Sequence, residues 1–155
     1  MKAQVDVSML FDFFVASQRL RRVLADGLAG SGMRPDEYAV YSLLLEKGPL
    51  TATEMAASMG MPVTTVLDYL RAMTAAGHVS RTSHPFDGRA VQLSLSRAGV
   101  AAQRRAHTYW EPVRMSIEGE LGASLPAVRL ALRALDRAAG VAAARMRPAR
   151  ARAGA

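Results

Sequence analysis

Two short helical segments separated by a glycine turn occupy the middle of the chain. Thr51 and Glu54 have the spacing of a capping box, in which each side chain satisfies a backbone amide at a helix start. Gly60 ends this first segment, and Pro62 stands where a second helix is expected to begin. Apolar residues then recur at helical spacing as far as Gly77, namely Val66, Leu70 and Met73. The pattern predicts a helix-turn-helix.

The hydrophobic period changes from helical to alternating after Gly77. An Asp87-Gly88 pair lies in a cluster of turn residues, and tight hairpins favour this pair. On its far side, apolar and polar residues alternate over residues 91–96, which is typical of a half-buried strand. A β-hairpin directly after a helix-turn-helix is a wing, so the sequence predicts a winged helix-turn-helix.

Further helices are predicted on both sides of this winged unit. Before it lie residues 5–28 and a helix that opens at Pro35, with Asp36 and Glu37 in its first turn. After it, Ser96 caps a helix to about residue 119, and a last helix runs from about residue 122 to about residue 144. The predicted fold class is mainly α with a small β-hairpin wing.

We expect one structural domain overall, divided into three regions by role. Residues 34–97 form the winged helix-turn-helix DNA-binding region, and residues 1–33 and 98–144 form a helical dimerisation region. Residues 145–155 are rich in Ala, Arg and Pro and are expected to form an unfolded basic tail.

The last predicted helix carries apolar residues at alternating spacings of four and three, the heptad pattern of a helix that packs against a partner helix. These residues are Leu121, Leu125, Val128, Leu132 and Leu135. Packing of this seam within one chain stays open as the alternative. Because helical segments flank the winged unit on both sides, we predict a homodimer, with Phe13 of the first helix as a further contact.

The charge of the chain indicates a polyanionic partner. The formal net charge is +7 and the pI is about 10.7. Residues 61–105 alone hold six arginines against two aspartates. Such a surface suits nucleic acid first and an anionic membrane surface second. No segment reads as a signal peptide or reaches the length of a membrane span, so a cytoplasmic protein is expected.

Residue types that carry catalysis are present but form no recognisable site. The sequence has no cysteine, which excludes disulfides, thiolate zinc sites and thiol redox switches. His78, His84 and His107 have no cysteine or carboxylate at the spacing of metal ligands in this interpretation. No nucleophile motif or glycine-rich phosphate loop occurs. We therefore predict no enzyme activity, no metal and no cofactor.

The segment from Gly48 to Gly99 resembles the MarR family of transcription regulators. The residues that carry the resemblance are Glu54-Met55-Ala56, Met59-Gly60-Met61, Thr64-Thr65-Val66, Asp87-Gly88-Arg89 and Leu93-Ser94-Leu95-Ser96-Arg97-Ala98-Gly99. The order of helices extends the likeness to about residues 5–144. The chain departs from the family pattern at Gly88, where a basic residue is common, and in the few polar residues of its second motif helix. The resemblance implies a homodimeric regulator that acts as a repressor on a pseudo-palindromic site in double-stranded DNA.

The resemblance places the second motif helix in the major groove of DNA. Arg71 would contact a guanine edge or a phosphate, and Val63 and Leu67 would contact thymine methyl groups. Asp68 would accept from a cytosine amino group, orient Arg71, or remain a solvated surface charge. Four threonines are suited to phosphate contacts or to helix capping, and for Thr51 capping is favoured: Thr51, Thr53, Thr64 and Thr65.

The wing arginine Arg89 is implied to enter the minor groove, where narrow A/T-rich DNA concentrates negative potential. The alternative is an ion pair with Asp87 that holds the turn. Arg81 and His84 would touch the DNA backbone or form ordinary surface.

Regulators of this family commonly release DNA when a small aromatic or phenolic effector binds between the dimer helices and the winged unit. The resemblance therefore implies an effector cleft, for which the candidates are Phe14, Tyr38, Tyr41 and Trp110, with an ordinary core role as the alternative. A different class of function stays open, a winged-helix protein-interaction module of the anti-repressor type with weak DNA binding.

Overall fold

The computed structural model describes residues 8–87 and 89–152. Over these residues the chain forms six α-helices and one antiparallel hairpin, which confirms the predicted fold class. The elements are α1 (Met9–Leu28), α2 (Pro35–Lys47), α3 (Ala52–Met59), α4 (Val63–Ala75), β1 (Val79–Ser83), β2 (Val91–Leu95), α5 (Arg97–Leu121) and α6 (Leu125–Arg152), with 3₁₀ turns at Ala29–Ser31 and Gly122–Ser124.

Capping chemistry fixes the helix starts where the sequence predicts them. The Thr51 amide donates to Glu54 Oε2 at 2.7 Å, and the Glu54 amide donates to Thr51 Oγ1 at 3.2 Å. Gly60 then adopts φ 61°, a left-handed conformation that suits glycine and ends α3. Ser96 Oγ accepts from the Gly99 amide at 3.1 Å at the start of α5. These local bonds explain why α3 and α5 begin as expected.

The wing consists of β1 and β2, paired from Val79 opposite Leu95 to Ser83 opposite Val91. Leu50 adds a short third segment, because its amide and carbonyl both bond to Leu93 at 3.0 and 2.8 Å. Leu93 is buried, so the middle of β2 anchors the hairpin to the core of the winged unit.

The main core lies among α2, α3, α4, the first part of α5 and the wing. Its members are Val40, Tyr41, Leu44, Met55, Ala56, Val66, Leu70, Met73, Leu93 and Ala102. A second, smaller cluster joins α1, α2 and α5 through Leu28, Tyr38 and Ala106. Apolar burial of this kind supplies the dominant favourable term in folding, which holds α4 in place with one face outward.

The chain separates into two compact units, residues 1–114 and residues 115–155, whereas the sequence predicts one domain. The first unit contains α1, the core and the wing. The second contains the end of α5 and α6, in which Arg129 donates to Glu118 at 2.8 Å. Among the described residues, none of the helices combines the length and apolarity needed to cross a bilayer.

The predicted ends of the terminal segments need correction. α6 continues to Arg152, so the expected helix end near residue 144 is wrong, as is an unfolded state for residues 145–152. Ala and Arg rank among the strongest helix formers, and their propensity outweighs the compositional argument for disorder. The predicted start of the first helix at residue 5 and residues 153–155 lie outside the described residues.

Candidate nucleic-acid interface

The second motif helix, α4, has one buried and one exposed face. Val66, Leu70 and Met73 are buried in the core at 0%, 2% and 3% exposure. The opposite face carries predicted DNA-contacting residues that are all exposed: Val63, Thr64, Leu67, Asp68 and Arg71. Thr65 lies half-buried at the edge of this face. The core therefore orients α4 so that these side chains point to solvent.

An ion pair occupies the exposed face of α4. Arg71 donates from its guanidinium to Asp68 Oδ1 at 2.5 Å, one helical turn away. Both side chains are largely exposed to solvent, Arg71 by 73% and Asp68 by 70%. Of the three roles considered for Asp68, the geometry agrees with that of orienting Arg71. The pair lies beside the exposed apolar residues Val63 and Leu67.

A groove of about 380 Å³ runs between the start of α3, α4 and the wing. It gathers residues from three separate parts of the sequence. The lining residues are Thr51, Ala52, Thr53, Leu67, Leu70, Arg71, Arg81, Ala90, Val91 and Leu93. Five of the predicted DNA-binding residues thus meet at one surface, which combines two arginines with apolar side chains. The other six are not part of its lining, namely Val63, Thr64, Thr65, Asp68, His84 and Arg89.

Thr51 is committed to helix capping. Its hydroxyl donates to Glu54 Oε2 at 2.9 Å and accepts from the Glu54 amide. The hydrogen bonds from the Thr51 amide and hydroxyl hold the pKa of Glu54 below its ordinary value. Thr53, by contrast, is exposed on the first turn of α3. Capping is therefore the role of Thr51 that the bonds support, whereas the exposed Thr53 hydroxyl is available to a phosphate.

Substitutions at these two threonines are expected to separate stability from binding. Thr51→Ala removes the cap of α3 and should lower the free energy of unfolding by about 1 kcal/mol. Thr53→Ala should change it by less than about 0.5 kcal/mol, because the side chain is exposed. Urea denaturation of both variants measures the difference. Equal stability of the two would refute the capping assignment.

Hydrogen bonds close the wing turn between β1 and β2. The His84 amide bonds to the Ala90 carbonyl and the Ala90 amide to the Asp87 carbonyl, each at 3.0 Å. Asp87 Oδ1 accepts from the Arg89 amide at 3.0 Å. Within the described part of the chain, no ion pair joins the Arg89 guanidinium to Asp87. The carboxylate holds the turn through the backbone and leaves the side chain of Arg89 exposed. Gly88 lies outside the described residues.

The remaining wing residues differ in exposure. Arg81 is exposed on β1, opposite Leu93. His84 is half-buried, and its Nδ1 accepts from the Phe86 amide at 3.2 Å. Phe86 itself is 93% exposed at the tip of the hairpin. Sequence reasoning missed Phe86, although an aromatic residue inside a turn cluster is a signal that is visible in the sequence.

The four aromatic residues predicted to line an effector cleft do not meet in one cavity. Tyr41 lines a cavity of about 300 Å³, Tyr38 and Trp110 line a separate groove, and Phe14 is exposed on a third surface of α1. Tyr38 and Trp110 stack with ring centroids 4.7 Å apart. Tyr38 and Tyr41 lie three residues apart on α2, and their rings contact different neighbours. Which neighbours they meet depends on tertiary packing.

The 300 Å³ cavity lies among α2, α4, α5 and the 3₁₀ turn that follows α1. Its lining residues are Ser31, Gly32, Met33, Glu37, Tyr41, Tyr69, Ala72, Met73, Ala76, His78, Ala102 and Arg105. The Tyr41 hydroxyl and His78 Nδ1 share a hydrogen bond of 2.7 Å. Burial raises the pKa of Tyr41, so this phenol stays neutral at physiological pH. Several residues of this cavity, including Tyr69, His78 and Arg105, were absent from the predicted set.

One histidine has a carboxylate neighbour that the sequence interpretation overlooked. His107 Nε2 lies 3.8 Å from Glu111 Oε2, one turn along α5, and His107 Nδ1 bonds to the Tyr38 hydroxyl at 2.8 Å. The side chain of Arg114 also pairs with Glu111 and, by its hydrogen bond, lowers the pKa of that carboxyl group. Among the described residues, no group of three or more histidine and carboxylate side chains is placed to hold a metal ion.

Comparison with known proteins identifies regulators. Residues 28–107 match the family model "Sugar-specific transcriptional regulator TrmB". An HTH-type transcriptional regulator of Mycobacterium tuberculosis is 27% identical over 114 residues, which cover 72% of this chain and 80% of the relative. The segment matched by the family model, residues 28–107, includes the helix-turn-helix and the wing described above.

Solved structures share the architecture over most of the chain. A probable transcriptional regulator from Pseudomonas aeruginosa is 25% identical with a TM-score of 0.74, covering 85% of this chain and 99% of that one. M. tuberculosis MosR, solved in complex with DNA, is 24% identical with a TM-score of 0.75 and coverages of 88% and 98%. MarR of Escherichia coli in its apo form is 17% identical with a TM-score of 0.69 and coverages of 83% and 97%.

Proposed function

Because this chain belongs to the TrmB family of transcriptional regulators and shares the winged helix-turn-helix fold of MarR, we propose that it is a homodimeric repressor that binds a pseudo-palindromic DNA site and leaves it when a small ligand binds. The observation that carries the proposal is the groove between α3, α4 and the wing. It brings Arg71, Arg81 and Thr53 together beside an outward-facing helix. Arginine side chains and a threonine hydroxyl at the start of a helix are typical contacts of DNA phosphate oxygens.

The exposed face of α4 supports a specific chemistry of base recognition. Arg71, paired with Asp68, presents an exposed guanidinium group, whose planar fork suits the O6 and N7 acceptors of guanine. Val63 and Leu67 offer apolar surface suited to thymine methyl groups. We expect each half-site to contain a guanine next to one or more thymines.

Dimerisation is supported by apolar side chains that a single chain leaves open. In α1, Phe13 is 48% exposed and Met9 is 62% exposed. In α6, Leu132 of the heptad seam is 53% exposed, while Leu121, Leu125, Val128 and Leu135 are half-buried. A second copy of the chain would remove these surfaces from water. Two recognition helices in a dimer would lie about 34 Å apart, one turn of DNA.

Ligand response is supported by the 300 Å³ cavity behind the recognition helix. Its wall includes Tyr69, Ala72, Met73 and Ala76, which lie on or directly after α4, so an occupant would contact the inner side of that helix. Aromatic walls with a few polar groups suit a small aromatic or phenolic molecule. A ligand that binds better when the two α4 helices are wrongly spaced for DNA would shift the population away from the complex.

Selection of duplexes from a random DNA pool by the purified protein tests the proposal. We expect an inverted repeat of about 16–20 base pairs, bound by a dimer with an affinity that falls steeply as salt rises. Recovery of no preferred sequence, with weak binding at all salt concentrations, would contradict it. The exposed Val63 and Leu67 and the carboxylate of Asp68 would then favour a protein-interaction module, whose partner helix packs on this face.

A further inference from the structure

The tip of the wing displays a large apolar side chain that the proposed DNA contacts do not use. Phe86 is 93% exposed, more than any other large apolar residue in the described part of the chain. It lies three residues before Arg89, in the turn that joins β1 and β2. We propose that Phe86 enters the minor groove beside Arg89 as an apolar wedge and partly unstacks one base step in each half-site. The inference rests on the proposed DNA-binding function.

Hydrogen bonds on both sides of Phe86 hold it in this position. Its own amide donates to His84 Nδ1 at 3.2 Å, and the His84 ring stands edge-on to the Phe86 ring with centroids 6.2 Å apart. The His84 amide is bonded across the turn to the Ala90 carbonyl at 3.0 Å. Asp87 closes the other side through its bonds to Arg89 and Ala90. These bonds hold the backbone of the turn, so the turn does not depend on burial of the Phe86 ring.

The charges around the tip favour DNA as the partner. Arg89 and Arg81 are exposed in the same hairpin, and the carboxylate of Asp87 is directed to a backbone amide. Phosphates line both edges of the minor groove, so the guanidinium groups would face them while the ring lies between. Apolar wedges such as Phe, inserted from the minor groove, are an established way for proteins to open a base step.

Base unstacking costs free energy, and two terms offset it. Burial of the Phe86 ring against sugars and base faces removes apolar surface from water. Opening the step also brings more of the backbone within reach of the wing. Pyrimidine–purine steps such as TA and CA unstack most easily, so the wedge predicts a preference for such a step at a position that α4 does not contact.

Base-stacking fluorescence measures the wedge directly. The probe is the duplex recovered by selection, with 2-aminopurine replacing single adenines across the outer part of each half-site. The unsubstituted protein should raise the fluorescence at one step per half-site. Phe86→Ala should abolish this rise and weaken binding about tenfold. The slope of affinity against salt should stay unchanged, because Phe86 carries no charge.

Two matched variants separate the wedge from general effects. Leu45→Ala removes exposed apolar surface from α2, outside both the wing and the groove, and should keep the fluorescence rise. Phe86→Leu keeps an apolar wedge and should keep part of the rise. A thermal melt should be the same for Phe86→Ala and the parent, since the ring is almost fully exposed.

Failure of the wedge is distinguishable from failure of the proposed function. Tight, sequence-specific binding without a fluorescence rise overturns the wedge alone, as does an affinity loss in Phe86→Ala with the rise intact. Absence of any preferred duplex overturns the repressor proposal, and the wedge falls with it.

Discussion

Arg89→Ala is expected to weaken binding to the selected DNA site by at least roughly 30-fold, because a contact of this kind contributes about 1–3 kcal/mol and a dimer has two wings. The guanidinium is exposed, and Asp87 is occupied by the Arg89 amide. Nothing in the described wing therefore competes with DNA for this side chain. Fluorescence anisotropy over a range of salt concentrations measures the effect, and the salt slope should fall by about one for each wing.

The matched control is Arg97→Ala, which removes an exposed arginine at the start of α5 instead of at the wing tip. It should leave affinity within about threefold of the parent, since distant surface charges are largely screened at physiological salt. Arg89→Lys should keep the salt slope but lose part of the sequence preference, because an ammonium lacks the planar fork. If Arg89→Ala binds as tightly as the parent, the wing arginine does not contact DNA.

Local chemistry in the sequence was sufficient to predict the winged unit. The capping pair Thr51 and Glu54, the turn at Gly60 and the cap at Ser96 each act within a few residues, and the structure shows each of them. The exposed face of α4 also followed from periodicity, since Val66 and Leu70 can be buried only if Arg71 points outward. Short-range bonds and helical period are visible in a single sequence.

Other features depend on tertiary packing and were missed or misplaced. Tyr38 stacks on Trp110 while Tyr41 bonds to His78, and these partners lie in elements distant in sequence. The cavity behind α4 arises from the way α2, α4 and α5 pack, so Arg105 carries no local sign of belonging to it. The extension of α6 to Arg152 has a local cause instead. The helix propensity of Ala and Arg is visible in the sequence, but it competes with a composition that is typical of disorder.

Gly99→Ala is expected to lower the free energy of unfolding by about 3 kcal/mol, because overpacking and the loss of one backbone hydrogen bond act together. A Cβ at Gly99 would lie far inside contact distance of the His78 carbonyl oxygen, which is backbone and cannot rotate away. That same oxygen accepts from the Ser96 amide at 2.9 Å, and Ser96 Oγ donates to the Gly77 carbonyl at 2.7 Å. The added methyl group would therefore push the start of α5 away from the end of α4.

Substitution of Gly119 by alanine should change the free energy of unfolding in the opposite direction. Gly119 also lies in α5, but a Cβ there meets nothing within 4 Å. Gly119→Ala should stabilise the protein by up to about 1 kcal/mol through helix propensity alone. Urea denaturation of both variants gives the comparison. Gly99→Ala should also weaken DNA binding, because the bonds it disturbs join the segment that follows α4 to the residue that caps α5. Equal changes in the free energy of unfolding at the two glycines would mean that the close approach of α5 to His78 does not contribute to stability. The contact between the start of α5 and His78 would then be free to adjust on DNA binding.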